Sequence, residues 1–213
     1  TIEIKPYAIG GLTTDVNASP PQNGEGNGDF GLDVKVGITQ NLTADFTVNT
    51  DFAQVEVDEQ QVNLTRFNLF FPEKREFFLE GRGTFDFGSS SFRGGGVRGG
   101  GSATPTVFFS RRIGLSGGEA IPIRGGGRVT GKAGRLGFGL MNLQTDRVEG
   151  VAPETNFSVV RIKRDILRRS NIGALFTNRS KSVAVEGTNQ VYGVDGTFNF
   201  GQEMSFSGFY AQS

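Results

Sequence analysis

Phe30-Gly-Leu-Asp-Val-Lys-Val-Gly-Ile-Thr39, followed after Gln40-Asn41 by Leu42-Thr-Ala-Asp-Phe-Thr-Val48, alternates apolar and polar residues almost without a break. Phe30, Leu32, Val34, Val36 and Ile38 fall on one side of an extended chain, and Gly31, Asp33, Lys35, Gly37 and Thr39 on the other. A period of two marks a strand with one apolar face. Leu42, Ala44, Phe46 and Val48 continue on even numbers, so matching faces demand an odd-numbered loop. A three-residue loop over 40–42 predicts Ile38 opposite Ala44, Val36 opposite Phe46 and Val34 opposite Val48. It places Asn41 in a left-handed turn position and Lys35 opposite Thr47.

The same pattern recurs to either side. Ile2 to Thr14 reads as a strand with a defect at Pro6, and 17–28 as a loop around Pro20-Pro21. Gly83 to Gly88 reads as a short strand, and 89–106 as a glycine-rich loop built on Arg93-Gly-Gly-Gly and Arg98-Gly-Gly-Gly. Val107 to Gly114 brings Phe108-Phe109 and Arg111-Arg112. A second hairpin, Ile123–Lys132 and Arg135–Gln144 turning at Ala133-Gly134, sets Val129 opposite Phe138 and Gly127 opposite Leu140. Arg124, Arg128 and Lys132 share its other face. Further strands are expected at 156–165, 171–179, 191–200 and 204–211. Many of these run about 9–11 residues, the length of a tilted membrane-crossing strand.

Between the two hairpins lies a stretch of another kind. Asn49 to Gly81 opens with carboxylates (Asp51, Glu56, Asp58, Glu59) and passes Arg66 into Phe70-Phe71-Pro-Glu73-Lys74-Arg75-Glu76-Phe77-Phe78-Leu-Glu80. Neighbouring side chains of a strand point to opposite sides, so paired phenylalanines require contact on both. A loop or short helix tucked under a sheet satisfies this, as does an inward-folded element filling a space enclosed by strands.

Composition narrows the chemistry. The 213 residues include 33 Gly and 20 Phe but no His, Cys or Trp. Without His and Cys, the commonest general base, the thiol nucleophile and most transition-metal sites are lost. No catalytic residue, cofactor or metal is expected. Residues 1–90 hold 14 acidic against 6 basic side chains, and 91–213 hold 8 against 16. Such halves suit internal pairing better than an external polyanion, and nucleic acid is not an expected partner. Ion pairs between the 49–81 segment (Asp51, Glu56, Asp58, Arg66, Glu73, Lys74, Arg75, Glu80) and Arg111, Arg112, Arg124 and Arg128 are the candidate site. Ca²⁺ at the acidic run is disfavoured, because its spacing is no EF-hand. Gly127-Arg-Val-Thr-Gly131-Lys132 lacks the spacing and the hydroxyl of a phosphate loop. The chain opens and closes on strand-like sequence, which reads as a trimmed piece of a longer protein.

The motifs carry a resemblance. Asn49-Thr-Asp-Phe-Ala-Gln-Val-Glu56, Val62-Asn-Leu-Thr-Arg-Phe67, Phe70-Phe-Pro-Glu-Lys-Arg75 and Phe77-Phe-Leu-Glu-Gly81 resemble the signature of one family, with Phe109-Ser-Arg-Arg-Ile-Gly114 and Arg161-Ile-Lys-Arg-Asp165 as later landmarks. Thr50 and Glu76 stand where proline is expected, and Ala53 where serine is. The family is the uncharacterised barrel region that follows a carbohydrate-binding-module-family-9-like β-sandwich in large outer-membrane proteins of Gram-negative bacteria. The resemblance implies an outer-membrane location, contact with outer-membrane lipid, and a partner domain on the periplasmic or surface side. It gives no established substrate.

The expected fold is therefore all-β: one domain over 1–213, an antiparallel up-and-down barrel of the outer-membrane type and part of a larger barrel, with 49–81 folded inward. The expected function is passage, docking or surface handling of a solute, a glycan among the candidates. Two alternatives stand beside it, a soluble β-sandwich carbohydrate-binding module and RNA binding through the 89–106 loop.

Overall fold

The computed structural model describes residues 1–15, 22–49, 73, 75–88, 106–116, 119–181, 187–200 and 204–213. Nine strands form one sheet: β1 (Ile2–Asp15), β2 (Gln22–Thr39), β3 (Leu42–Val48), β6 (Ile123–Ala133), β7 (Leu136–Thr145), β8 (Thr155–Ile166), β9 (Ser170–Arg179), β10 (Asn189–Phe200) and β11 (Met204–Gln212). Each pairs antiparallel with the next in that order. The connection from β3 to β6 carries a one-turn helix α1 (Glu76–Leu79), short 3₁₀ turns at Arg82–Phe85 and Ser110–Arg112, and a small hairpin of β4 (Leu115–Ser116) with β5 (Glu119–Ala120).

The sheet is not closed. β1 and β11 end the strand order and do not pair with each other, so the expected barrel is here an open, all-antiparallel meander.

Faces follow the sequence, while registers shift by two. In the first hairpin Val36 lies opposite Ala44, Val34 opposite Phe46 and Leu32 opposite Val48. The turn has two residues, and the odd residue demanded by parity sits in the strand, at an irregularity between Gly37 and Thr39. Lys35 therefore faces Asp45 rather than Thr47. Among the described non-glycine residues only Asn49 and Leu167 have positive φ, so Asn41 is not left-handed. In the second hairpin the turn is Gly134-Arg135, because Gly134 (φ 60°) takes the left-handed position more readily than Ala133 would. Val129 then faces Leu140, Gly131 faces Phe138, and Gly127 faces Asn142.

Other boundaries also move. Gln22 already belongs to β2, so the loop expected over 17–28 is half strand. Gly83 to Gly88 is no strand: Gly81, with φ 63°, ends α1 and starts a 3₁₀ turn instead. Val107 to Gly114 is likewise irregular apart from its 3₁₀ turn. The four C-terminal strands lie within two residues of expectation.

The buried core is unusual in its placement. Phe77, Phe78, Phe85, Phe87 and Ile113 from the β3–β6 connection pack with Ile123, Met141, Leu143, Val159 and Leu175 of the sheet. The middle of one face of the sheet is thus covered by the chain's own connection. The other face is bare: Ile4 is 61% exposed, Phe30 77%, Val194 53% and Phe206 58%.

Candidate functional site

The covered face carries the charge. Asp33, Lys35, Asp45, Thr47, Arg128, Arg161, Lys163 and Asp195 hold alternate positions to the exposed apolar residues, and the connection packs against several of them. Thr47 Oγ1 donates to Asp33 at 2.5 Å. Arg128 is buried; its Nη2 lies 2.7 Å from the Asp45 carboxylate, its Nη1 donates to the Glu80 carbonyl, and its guanidinium sits 5.2 Å from the Phe77 ring. One strand arginine therefore holds both a strand carboxylate and the end of α1.

A second anchor is internal to the connection. Arg75 makes two bonds of 2.8 Å to Glu73, donates to the Ile113 carbonyl at 2.6 Å and the Ser110 carbonyl at 3.0 Å, and lies 4.1 Å from the Phe78 ring. Ser110 Oγ completes the cluster by donating to Glu73 at 2.8 Å. Arg75 thus ties 73–88 to 106–113. Burial pushes the Glu73 carboxyl up, but the hydrogen bonds and charge of Arg75, with the Ser110 hydroxyl, outweigh it and hold the group below its ordinary value.

The third anchor spans a strand. Arg161, fully buried, makes a bidentate pair with Asp195 at 2.6 and 2.7 Å, and Asp195 Oδ2 accepts the Gly88 backbone N–H at 2.9 Å. β9 lies between the two partners, and Gly173 makes the crossing possible: a Cβ there would come within 2.7 Å of Arg161 Nη1. Two more glycines act as seats. A Cβ on Gly139 would meet Thr84 and Phe85 at 2.8 and 2.9 Å, and one on Gly193 would meet the Phe87 ring at 2.7 Å. Exposed pairs at the rim, Lys35–Glu80 at 2.6 Å and Lys5–Glu76 at 2.5 Å, add less.

The described carboxylates of the segment do not pair with the expected arginines. Glu73 pairs with Arg75 and Glu80 with Lys35, while Arg128 pairs with Asp45 and reaches the segment through the Glu80 carbonyl. Arg111 is buried in the 3₁₀ turn. Arg112 is exposed. Arg124 is not among these pairs. It is 66% exposed and pairs with Asp146 and Glu154, because the irregularity between Ile123 and Gly125 takes it out of the inward series. Asp51, Glu56, Asp58, Arg66 and Lys74 lie outside the described residues, as do Phe70, Phe71 and 89–105 of the glycine-rich loop. Asp45, Ser110, Arg161, Asp195 and the glycine seats were not anticipated. Charge at inward positions of strands was the available signal for Asp45, Arg161 and Asp195.

Chemically, these groups neutralise one another and clamp backbone carbonyls. The arrangement holds a segment in place.

Two outcomes test the clamp. Gly193→Leu should expel the Phe87 ring, raising hydrogen exchange across 75–88 at a cost of about 1–3 kcal/mol. Gly208→Leu, with nothing within 4 Å of its added Cβ, should leave exchange unchanged; equal effects at the two glycines would contradict the seat. Because the folded value of Glu73 is depressed, its contribution is complete above the ordinary value of 4.5 and is lost as pH falls through the lower, folded one. Urea midpoints of the parent and Glu73→Gln should therefore differ at pH 6 and converge on acidification below that value; a gap that widens in acid would refute the pairing.

Comparison with known proteins adds one assignment. No curated protein and no solved structure matches the chain. Residues 2–122, more than half of the 213, match a domain of unknown function, DUF5916. The chain belongs to the DUF5916 family.

Proposed function

We propose that the chain forms part of the wall of a β-barrel in the outer membrane of a Gram-negative bacterium, its charged face turned to the lumen and its apolar face to lipid. The single observation that carries this reading is which face is covered. A soluble sandwich buries apolar side chains between its layers and shows polar ones to water. Here the connection covers the face that carries the charged positions, packing on Met141, Leu143, Val159 and Leu175 between them. The face with an apolar band, and no ion pair in that band among the described residues, is bare.

The shape of the bare face supports the same reading. Along β10 the outward residues run apolar from Tyr192 to Phe200, eight steps or about 26 Å at 3.3 Å per residue. A hydrogen-bonded row crosses the sheet through Val34, Phe46, Gly127, Asn142, Ser158, Asn178 and Gln190. On β2 the apolar run starts at Phe30, four residues to one side of this row, and on β11 at Tyr210, level with Val194, four residues to the other. A drift of eight residues over seven inter-strand steps corresponds to roughly 38° between band and row, using about 3.3 Å and 4.8 Å spacings. Strands of outer-membrane barrels tilt by about 35–45°. Resolved along the membrane normal the band is then about 21 Å tall, against roughly 25 Å in such barrels. Aromatic pairs mark both margins, Phe176–Tyr192 at 5.1 Å and Phe200–Phe206 at 6.3 Å.

The turns give the orientation. At one end connections have two or three residues (40–41, 134–135, 167–169, 201–203), and at the other six or more (16–21, 49–122, 146–154, 180–188). Short turns face the periplasm and long ones the exterior. The clamped connection then lies against the luminal wall, where it narrows or occupies the lumen. The role we assign is passage, docking or surface handling of a solute, a glycan being the leading class because of the family resemblance alone. No catalysis is assigned, and further strands beside β1 and β11 complete the ring.

Detergent-dependent extraction from the outer-membrane fraction is the expected behaviour; release by salt alone would favour the soluble module. Val194→Arg, in mid-band, should cost about 2–4 kcal/mol of stability in a bilayer. A loss of less than about 0.5 kcal/mol, the range of ordinary surface changes, would sink the lipid-facing assignment.

A further inference from the structure

The exposed face is not apolar throughout. Above the band, at the long-connection end, outward positions of four adjacent strands change to Asn142 and Gln144, Asn156 and Ser158, Asn178, and Gln190. Their side chains form a ladder. Asn142 and Asn156 exchange bonds of 2.9 and 3.2 Å, Asn142 also donates to Ser158 at 2.8 Å, and Asn156 to Gln144 at 3.1 Å. Gln190 donates to Asn178 at 3.2 Å, and Tyr192 Oη donates to Gln190 at 2.9 Å. Among the described residues Asn178 keeps both amide protons and Gln190 keeps one, and each oxygen retains acceptor capacity. The ladder is therefore fixed in place yet has hydrogen-bonding groups left over, directed away from the sheet, with the Tyr192 ring beside it.

Beside the ladder lies an open crevice of about 440 Å³, lined by Arg147, Glu154 and Lys181 with the 148–153 turn between them. Glu154 is engaged by Arg124 and Gln144. Arg147 and Lys181 are exposed and make no ion pair among the described residues. Two cations thus share a crevice with Glu154, which Gln144 of the ladder engages.

We propose that this ladder and its two cations bind the phosphorylated saccharide headgroup of an outer-leaflet glycolipid, the amides taking hydroxyls and Arg147 and Lys181 taking phosphate. The proposal rests on the wall reading, since it needs the apolar band below the ladder to hold the acyl chains. Continuity with that band, and the amide-plus-cation chemistry, favour a glycolipid over a free sugar or a phospholipid. A phospholipid offers phosphate but few hydroxyls, and a free sugar makes no use of the band.

The test reconstitutes the intact protein into phosphatidylcholine nanodiscs and measures, by native mass spectrometry, retention of deep-rough lipooligosaccharide against phosphatidylglycerol. A preference for the lipooligosaccharide of about tenfold or more is expected. Asn178→Ala with Gln190→Ala should remove most of that preference while leaving phosphatidylglycerol retention unchanged; Arg147→Gln with Lys181→Gln should weaken both lipids. Should the amide variant fail to show the heat-modifiable mobility of a folded barrel, Gln190→Ala alone carries the same requirement. Equal retention of the two lipids by the parent, or an undiminished preference in the folded amide variant, overturns the proposal and leaves the wall reading standing. Failure of the parent to enter any bilayer overturns both.

Discussion

A strand sends neighbouring side chains to opposite faces, and in this sheet that rule separates a face that carries buried ion pairs from an exposed face with an apolar band. Lys35 and Asp45, opposite each other, point to the covered face, while Val34 and Phe46 one residue away point to the bare one. Every long connection must then choose a side. The β3–β6 connection lies on the charged side, where its phenylalanines pack with Met141, Leu143, Val159 and Leu175 between the charged positions. On a face that mixes apolar and charged positions the segment is also anchored by polar contacts, and Arg128, Arg75 and Arg161 supply them.

The energetics of these anchors are asymmetric. Desolvation cancels much of the attraction within a buried ion pair, so Arg128–Asp45 or Arg161–Asp195 contributes little net stability beside an apolar replacement of equal volume. Removing one partner is different, because it leaves a buried charge uncompensated at about 3–5 kcal/mol. Each arginine also reaches the connection or its neighbour, Arg128 through the Glu80 carbonyl and Arg161 through the carboxylate that accepts Gly88 N–H. The pairs thus act as position markers: they specify where the segment lies more than they strengthen the sheet.

The faces of the strands were legible from Phe30 to Val48, because a long run at period two leaves little freedom, and from Asn156 onward the strand ranges were legible to within two residues. Registers were less so. An extra residue near Ile38 and a glycine turn at 134–135 each move the pairing by two while leaving every side chain on its expected face. The burial of Phe77 and Phe78 followed from their adjacency, but the charge imbalance did not give the partners: Glu73 pairs with Arg75 in its own segment and Arg128 with Asp45 of β3. The glycine seats were invisible for a physical reason. Gly139 and Gly193 look like any strand glycine until Phe85 and Phe87, more than fifty residues earlier, are laid across them. Arg161–Asp195 was hidden in the same way, since the pair exists only through the register of β9 between them. Closure of the sheet was expected from strand length and the family resemblance, and strand length describes an open sheet as well as a ring.

The central claim is that one face meets lipid and the other an aqueous lumen, and site-directed spin labelling reads this directly in a chain without cysteine. Labels introduced by Val194→Cys and Ile162→Cys should collide preferentially with dissolved oxygen, and those from Thr197→Cys and Ser207→Cys with a water-soluble nickel chelate. The account predicts this alternation along β10, with the two positions three residues apart giving opposite accessibilities. Preferential collision with the nickel chelate at all four sites would contradict it.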